Sequence, residues 1–380
     1  MDQPTQGCDV GTGRSDDRAR LRRRRIRGLA VAVASVAIFA GWLALGLGGS
    51  HTVMVFDDTV TAFAAMAAMV LCFRAGLVRR GRIRRFWLLL GAAAAAWTVA
   101  EVIWEVYDVV LRQAVPIPSW ADVGYLGAIP LAVAALVSHP AMHEKHQLKT
   151  RAALDGIVLA TALLFLSWSF VLGPLWRHTD LTTLGGVVAV AYPFGDIVIL
   201  FLVVLVVRSM HSDGRFALWC VLAGLLAMAA ADSTYVYLSE MNRYVVGNLV
   251  DTGWVAGYLG LALGAYCSTG EERRDTRRTE SAPSIASLVL PFVPVLVALV
   301  VSAVRVALGE QLLFSDWVMA LALTLFVLAR QALVLFDGLR PGQRDEPDRD
   351  EPDDGPPPAD DWAVPVFAEL GSVASEADGR

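Results

Sequence analysis

Charge is scarce in this chain. Asp, Glu, Lys and Arg make up 18% of its 380 residues, where a soluble domain carries about 25%. The two or three soluble domains that length alone suggests are not built from such a composition. Cysteine is scarcer still. Cys8, Cys72, Cys220 and Cys267 share no metal-ligand spacing. All four fall on the reducing side of the topology derived below, so no structural disulfide is expected, and Cys72 and Cys220 read as small apolar fillers. There is no phosphate loop, nucleophile elbow or Ser/His/Asp set. No catalytic residue, metal site or cofactor is therefore assigned, and a non-enzymatic role is expected.

Long apolar runs are abundant. The chain is 56% hydrophobic, with a mean hydropathy of +0.52. Ten runs fall at 28–48, 56–77, 86–107, 121–138, 152–173, 187–207, 216–238, 247–267, 286–308 and 314–336. Each is near the ~20 residues that an α-helix needs to cross hydrocarbon. Basic residues crowd alternate connections: Arg20 to Arg27, Arg74 to Arg85, Lys145 to Arg151, Arg208 to Arg215, and Arg273 to Arg278. The other connections carry at most Arg112, Arg177, Arg243 and Arg305. Lys and Arg stay cytoplasmic during insertion. The expectation is an all-α polytopic bundle of ten helices in the plasma membrane, with both termini cytoplasmic and the lipid bilayer as its first partner. The first run is longer than the 7–15-residue apolar core of a secretory signal, so it is read as a span. The basic stretches serve topology and do not point to nucleic acid.

Composition divides the chain further. Residues 1–27 read as a disordered basic tail, 28–267 as an eight-helix core, and 268–284 as a cytoplasmic loop. Residues 285–338 read as a terminal helix pair bent at Pro291 and Pro294, since each proline removes a backbone donor. Residues 339–380 are acidic and Pro-rich and cannot bury enough apolar surface to fold alone. Trp362, Val364, Val366, Phe367 and Leu370 lie within them, either as a docking segment for a cytoplasmic signalling protein or as part of an inert tail.

Ionisable groups inside hydrocarbon cost at least ~2.5 kcal/mol each on insertion scales. Glu101, Glu105, Asp122, Asp196, Asp232 and Asp251 all fall in the outer half of their spans once alternate helices are oriented. Trp104, Trp120, Tyr125, Tyr192, Tyr235 and Trp254 accompany them, and Tyr and Trp can donate hydrogen bonds to carboxylates. Aromatic belts and the helix dipole explain Asp122 and Asp251 locally. They do not explain Glu101, Glu105 and Asp232, which come late in their helices. A shared outer cavity for a cation, a cationic ligand or a proton competes with separate structural roles.

Two phrases repeat: Ser119-Trp120-Ala121-Asp122-Val123-Gly124-Tyr125-Leu126 and Asp251-Thr252-Gly253-Trp254-Val255-Ala256-Gly257-Tyr258-Leu259. Tyr192-Pro193-Phe194-Gly195-Asp196 adds another Gly/Asp pair. Spans 3–4, 5–6 and 7–8 thus read as three diverged hairpins. With Leu154-Asp155-Gly156, the order of these phrases over residues 85–335 resembles the multi-pass amino-terminal sensor region of actinobacterial cyclic-di-GMP signalling proteins, which continue into diguanylate cyclase and phosphodiesterase domains. The resemblance implies a sensory membrane module. Neither a Gly-Gly-Asp-Glu-Phe nor a Glu-Ala-Leu motif follows, so the expectation is that module without its output domains.

Weaker signals remain. His139, His143 and His146 lie on a cytoplasmic loop that Pro140 interrupts, and a solvated loop is favoured over a metal site. Gly253 and Gly257 permit close helix packing, or a homodimer. The leading expectation is a sensor or scaffold. A cation- or proton-coupled transporter is the alternative, and a membrane enzyme is third.

Overall fold

The computed structural model describes residues 10–116, 118–143, parts of 157–173, 182–209, 215–240, 243–268, 292–307, 309 and 314–338. The expectations for the loop 269–284, for His146 and for the tail from 341 lie outside them. The chain divides into two units, Met1–Val334 and Leu335–Arg380. All that follows concerns the first; the second contributes only the helical residues Leu335–Gly338.

The fold is all-α, with no strand among the described residues. Among the described residues it forms α1 (Val10–Leu45), α2 (Ser50–Leu77), α3 (Gly81–Glu105), α4 (Trp120–Ser138), α5 (Leu184–Ser209), α6 (Arg215–Glu240), α7 (Thr252–Ser268), α8 (Phe292–Ala307) and α9 (Phe314–Gly338), with further helical residues within 157–173. Seven are long and apolar enough to cross a membrane: α1 to α6 and α9. The helices α7 and α8, with 17 and 16 described residues, fall on the stretches of the eighth and ninth expected spans. The fifth span is only partly described.

The amino-terminal region differs from expectation. Residues 10–27 are not a disordered tail but continue α1, because arginine is among the better helix formers.

Six helices close into a ring. Their contacts run α2–α3–α4–α5–α6–α7 and back from α7 to α2, while α1 lies outside against α7. Toward one end the ring is filled by Phe86, Trp87, Leu90, Leu136, Val203, Val206, Val221 and Leu261, each at most 1% exposed. At that end Arg79 donates to the Ser268 carbonyl, and Arg24 donates to the Tyr266 carbonyl while lying over the Tyr266 ring. Basic side chains thus satisfy carbonyls left open at a helix C-terminus.

Val158, Ala162 and Phe165 lie apart from the main buried core. At helical spacing, they form a second cluster with Ala298 and Leu323. The described part of the fifth expected span thus meets the terminal pair, with Leu164 and Trp168 also beside Val190 and Phe194 of α5, and α4 packs directly on α5. Of the three hairpins read from the sequence, α3–α4 and α6–α7 pack as neighbours.

Candidate functional site

The end of the ring opposite Arg79 holds a cavity of about 200 Å³. Every ring helix lines it with one helical stripe: Asp57, Asp58 and Thr61 from α2; Trp97, Glu101 and Trp104 from α3; Asp122, Tyr125 and Ile129 from α4; Tyr192, Asp196 and Ile199 from α5; Met228, Asp232 and Tyr235 from α6; Trp254 and Tyr258 from α7. The spacings of three and four residues are those of a single helix face. Tyr244 and the exposed Pro116 also line it. Among the described residues, none that lines it is basic.

Aromatic donors hold several carboxylates. The Tyr258 hydroxyl donates to Glu101 Oε1 at 2.6 Å, and Trp254 Nε1 donates to Asp232 Oδ1 at 2.7 Å. The Tyr192 hydroxyl donates to Asp122 Oδ1. Hydrogen bonds to a charged acceptor are worth about 1.5–3 kcal/mol each. Edge-to-face contacts link Tyr235 to Trp104, Tyr244 and Trp254, with ring centroids 6.5, 4.6 and 5.8 Å apart, inside the range where such pairs attract.

The repeated Asp-x-Gly-aromatic phrase has one structural meaning in both places. Asp122 accepts the backbone N–H of Ser119 and the Tyr192 hydroxyl. Asp251 accepts the backbone N–H of Gly247 at 2.9 Å and the Tyr244 hydroxyl at 3.0 Å. Two residues on, the glycine lets neighbouring helices touch: a Cβ on Gly124 would lie 2.8 Å from the Ala96 carbonyl oxygen of α3, and one on Gly253 would lie 2.9 Å from the Ala227 carbonyl oxygen of α6. The next residue, Tyr125 or Trp254, faces the cavity. Burial, then the Asp251 and Asp57 carboxyls beside it, keep the Tyr244 phenol protonated well above its ordinary range, so it remains a donor.

Nine of the twelve expected site residues line this cavity: Glu101, Trp104, Asp122, Tyr125, Tyr192, Asp196, Asp232, Tyr235 and Trp254. Three do not. Trp120 is 72% exposed, because two residues along a helix from Asp122 is about 200° around it. Glu105 accepts the Thr59 hydroxyl at 2.8 Å across the α2–α3 contact. Asp251 is buried behind Tyr244 and Gly247.

Asp57 and Asp58 belong to the site without having stood out in the sequence. They are 3% and 7% exposed. Their signal is two adjacent acids in an apolar run. A second span that starts at residue 56 masks it, whereas α2 begins at Ser50. The Asp57 carboxyl abuts that of Asp251, and the Asp58 carboxyl abuts that of Asp108. Asp108 sits in a π-helical turn, Val106–Val110, that ends α3. The Asp196 and Asp232 carboxyls also meet. Among the described residues no donor reaches Asp57 Oδ1, Asp58 Oδ2, Asp108 Oδ2 or Asp196 Oδ2.

No protein-family model, curated protein or solved structure matches this chain. Its function is therefore inferred from the cavity itself.

Two further readings concern His139 and the glycines of α7. His139 caps the end of α4 and is 4% exposed, edge-on to Phe86 with centroids 5.0 Å apart. Its Nδ1 accepts the Ala141 backbone N–H at 3.2 Å, and burial lowers its pKa to about 4. It is a packed residue and not part of a solvated loop. The glycines of α7 are used within the chain: a Cβ on Gly260 would lie 2.7 Å from the Gly224 Cα of α6.

Proposed function

We propose that this chain is a non-enzymatic integral membrane sensor that receives a cationic ligand in the acidic, aromatic cavity and passes a helix shift to a separate cytoplasmic partner. In this reading the ten spans of the sequence are retained, both termini are cytoplasmic, the cavity opens outward, and the tail beyond residue 341 or the basic loops meet the partner. The likeness to cyclic-di-GMP sensor regions is then one of membrane module alone.

One observation carries the reading: the cavity is blind. Acids and aromatic rings line it on all six helices, and the apolar fill from Phe86 to Leu261 closes the ring beneath it. A ligand there touches every ring helix without a polar route onward. Transporters place their sites near the midplane between repeats that rock against each other, and a packed apolar plug opposes passage. The transporter alternative draws on the carboxyl pairs Asp57–Asp251 and Asp196–Asp232, which suit proton carriage.

Proteoliposomes separate the two. The sensor reading expects no proton or amine flux above that of empty vesicles. Flux that disappears in Glu101→Gln or Asp232→Asn would establish the transporter instead. Pull-down with and without residues 341–380 tests the output. Loss of a specific partner on truncation supports the tail as the docking element, and equal recovery of every partner removes the tail from the mechanism.

A further inference from the structure

We infer that the cavity selects a short aliphatic diamine, bound as a dication with one ammonium group on α2 and the other on α5. The inference rests on the reading of the cavity as a cation receptor and names the class of cation. Three open acceptors define the site. Asp57 Oδ1 and Asp58 Oδ2 belong to side chains 97% and 93% buried, by their 3% and 7% exposure, and both residues line the cavity. Asp196 Oδ2 is the third, also solvent-shielded and in the lining. Other acids of the wall are already served by Tyr258, Trp254 and Tyr192. What is missing is a set of donors carrying positive charge.

The ring order places those acceptors at two ends. Helix α2 touches α3 and α7, whereas α5 touches α4 and α6, so α2 and α5 stand three places apart in a ring of six, on opposite walls. Between them, beside Glu101, Asp122 and Asp232 with their own donors, the lining offers apolar and aromatic surface, including Trp97, Ile199, Met228 and Tyr258. An alkyl chain fits that surface, and a protonated amine at each end supplies three donors to carboxylates. The volume of about 200 Å³ lies below the roughly 300–1,000 Å³ of pockets for drug-sized ligands, which favours a small molecule. A bare metal ion is disfavoured: no three Asp, Glu, His or Cys side chains among the described residues gather to hold one. A quaternary ammonium suits aromatic rings but has no hydrogen to give to Asp57, Asp58 or Asp196.

The test uses the full chain in lipid nanodiscs, with titration calorimetry and the fluorescence of Trp97, Trp104 and Trp254 as readouts. The probes are 1,4-diaminobutane, its homologues from two to eight carbons, butylamine, tetramethylammonium and calcium. The expected result is an optimum within the diamine series and an affinity at least about tenfold above butylamine, since the second charged hydrogen bond contributes about 1.5–3 kcal/mol. Asp196→Asn and Asp57→Asn should each bring the diamine close to butylamine. Equal affinity for diamine and butylamine, no dependence on chain length, or preference for tetramethylammonium or calcium would overturn the diamine while leaving a cation receptor standing. Binding of no cation at all would remove both.

Discussion

Asp57 and Asp251 converge on one backbone hydrogen: the N–H of Gly247 donates to Oδ2 of each, at 3.0 and 2.9 Å. The two acids come from α2 and from the turn before α7, and their carboxyls abut. Carboxylates only accept hydrogen bonds, so this contact needs a proton or a cation between its oxygens.

Asp57→Asn should therefore stabilise the empty protein. The amide oxygen can keep the Gly247 hydrogen bond while the amide nitrogen donates to Asp251. The apparent melting temperature in nanodiscs should rise by roughly 2–4 °C per kcal/mol gained. Functional sites commonly hold such unrealised stability. A fall in melting temperature would show that the paired acids already bind a stabilising ion.

Tyr258→Phe should act in the opposite direction. It leaves the buried Glu101 Oε1 without its 2.6 Å donor, at a cost of about 1–3 kcal/mol. In a Glu101→Gln background the loss should be smaller, giving a coupling of about 0.5–3 kcal/mol in a double-mutant cycle. Additive effects would mean that the hydroxyl does not serve the carboxylate.

Gly260→Val should prevent α6 and α7 from closing. The new Cβ would lie 2.7 Å from the Gly224 Cα and 2.9 Å from the Cys220 carbonyl oxygen, and backbone cannot rotate away as a side chain can. Overpacking of this kind costs about 1–3 kcal/mol or more. Size-exclusion profiles of the detergent-solubilised protein should shift to aggregate, whereas Gly41→Val, where an added Cβ meets nothing, should leave them unchanged.

Stability should fall as pH drops from 6.5 toward 4. The His139 pKa is lowered to about 4 by burial, so between these values the unfolded chain binds more protons than the folded one, and protonation favours unfolding. The contribution is fully present above pH 6.5 and is lost as the pH falls through the folded value. The full effect is on the order of 3 kcal/mol. Chemical denaturation midpoints across that range should lose part of their slope in His139→Gln.

Sidedness can be read with a membrane-impermeant maleimide on intact cells. With both termini cytoplasmic, Ser50→Cys at the start of α2 should be labelled and Arg82→Cys at the start of α3 should be protected until lysis. The reverse pattern would invert the bundle.

Much of the cavity is legible in the sequence because an acid in an apolar run costs enough to demand a reason. Glu101, Asp122, Asp196 and Asp232 stand out on that ground alone, and their helices bring them to one cavity. Asp57 and Asp58 are hidden by the six residues between Ser50, where α2 begins, and residue 56, where the apolar run does, since acids at a helix start answer to the dipole. Trp120 and Glu105 show the other limit. Proximity in sequence to a site residue does not determine which side of a helix a side chain occupies or which neighbour it meets. The clustering of Val158, Ala162 and Phe165 with Ala298 and Leu323 has no local signal, because every apolar span satisfies the same hydropathy pattern and only side-chain fit decides its neighbours.

The closure of the ring by α2 against α7 has a consequence for biosynthesis. Some 190 residues separate Asp57 from Gly247, which donates to it across that closure. A chain inserted from its amino terminus commits Asp57, Asp58 and Glu101 to the bilayer before Tyr244, Gly247 and Tyr258 have been translated. Until the last ring helix arrives, those acids have lipid or stray water for company. The nascent protein is then most exposed to misassembly and quality control, and truncations that end before Tyr244 should be degraded more readily than those that retain α7.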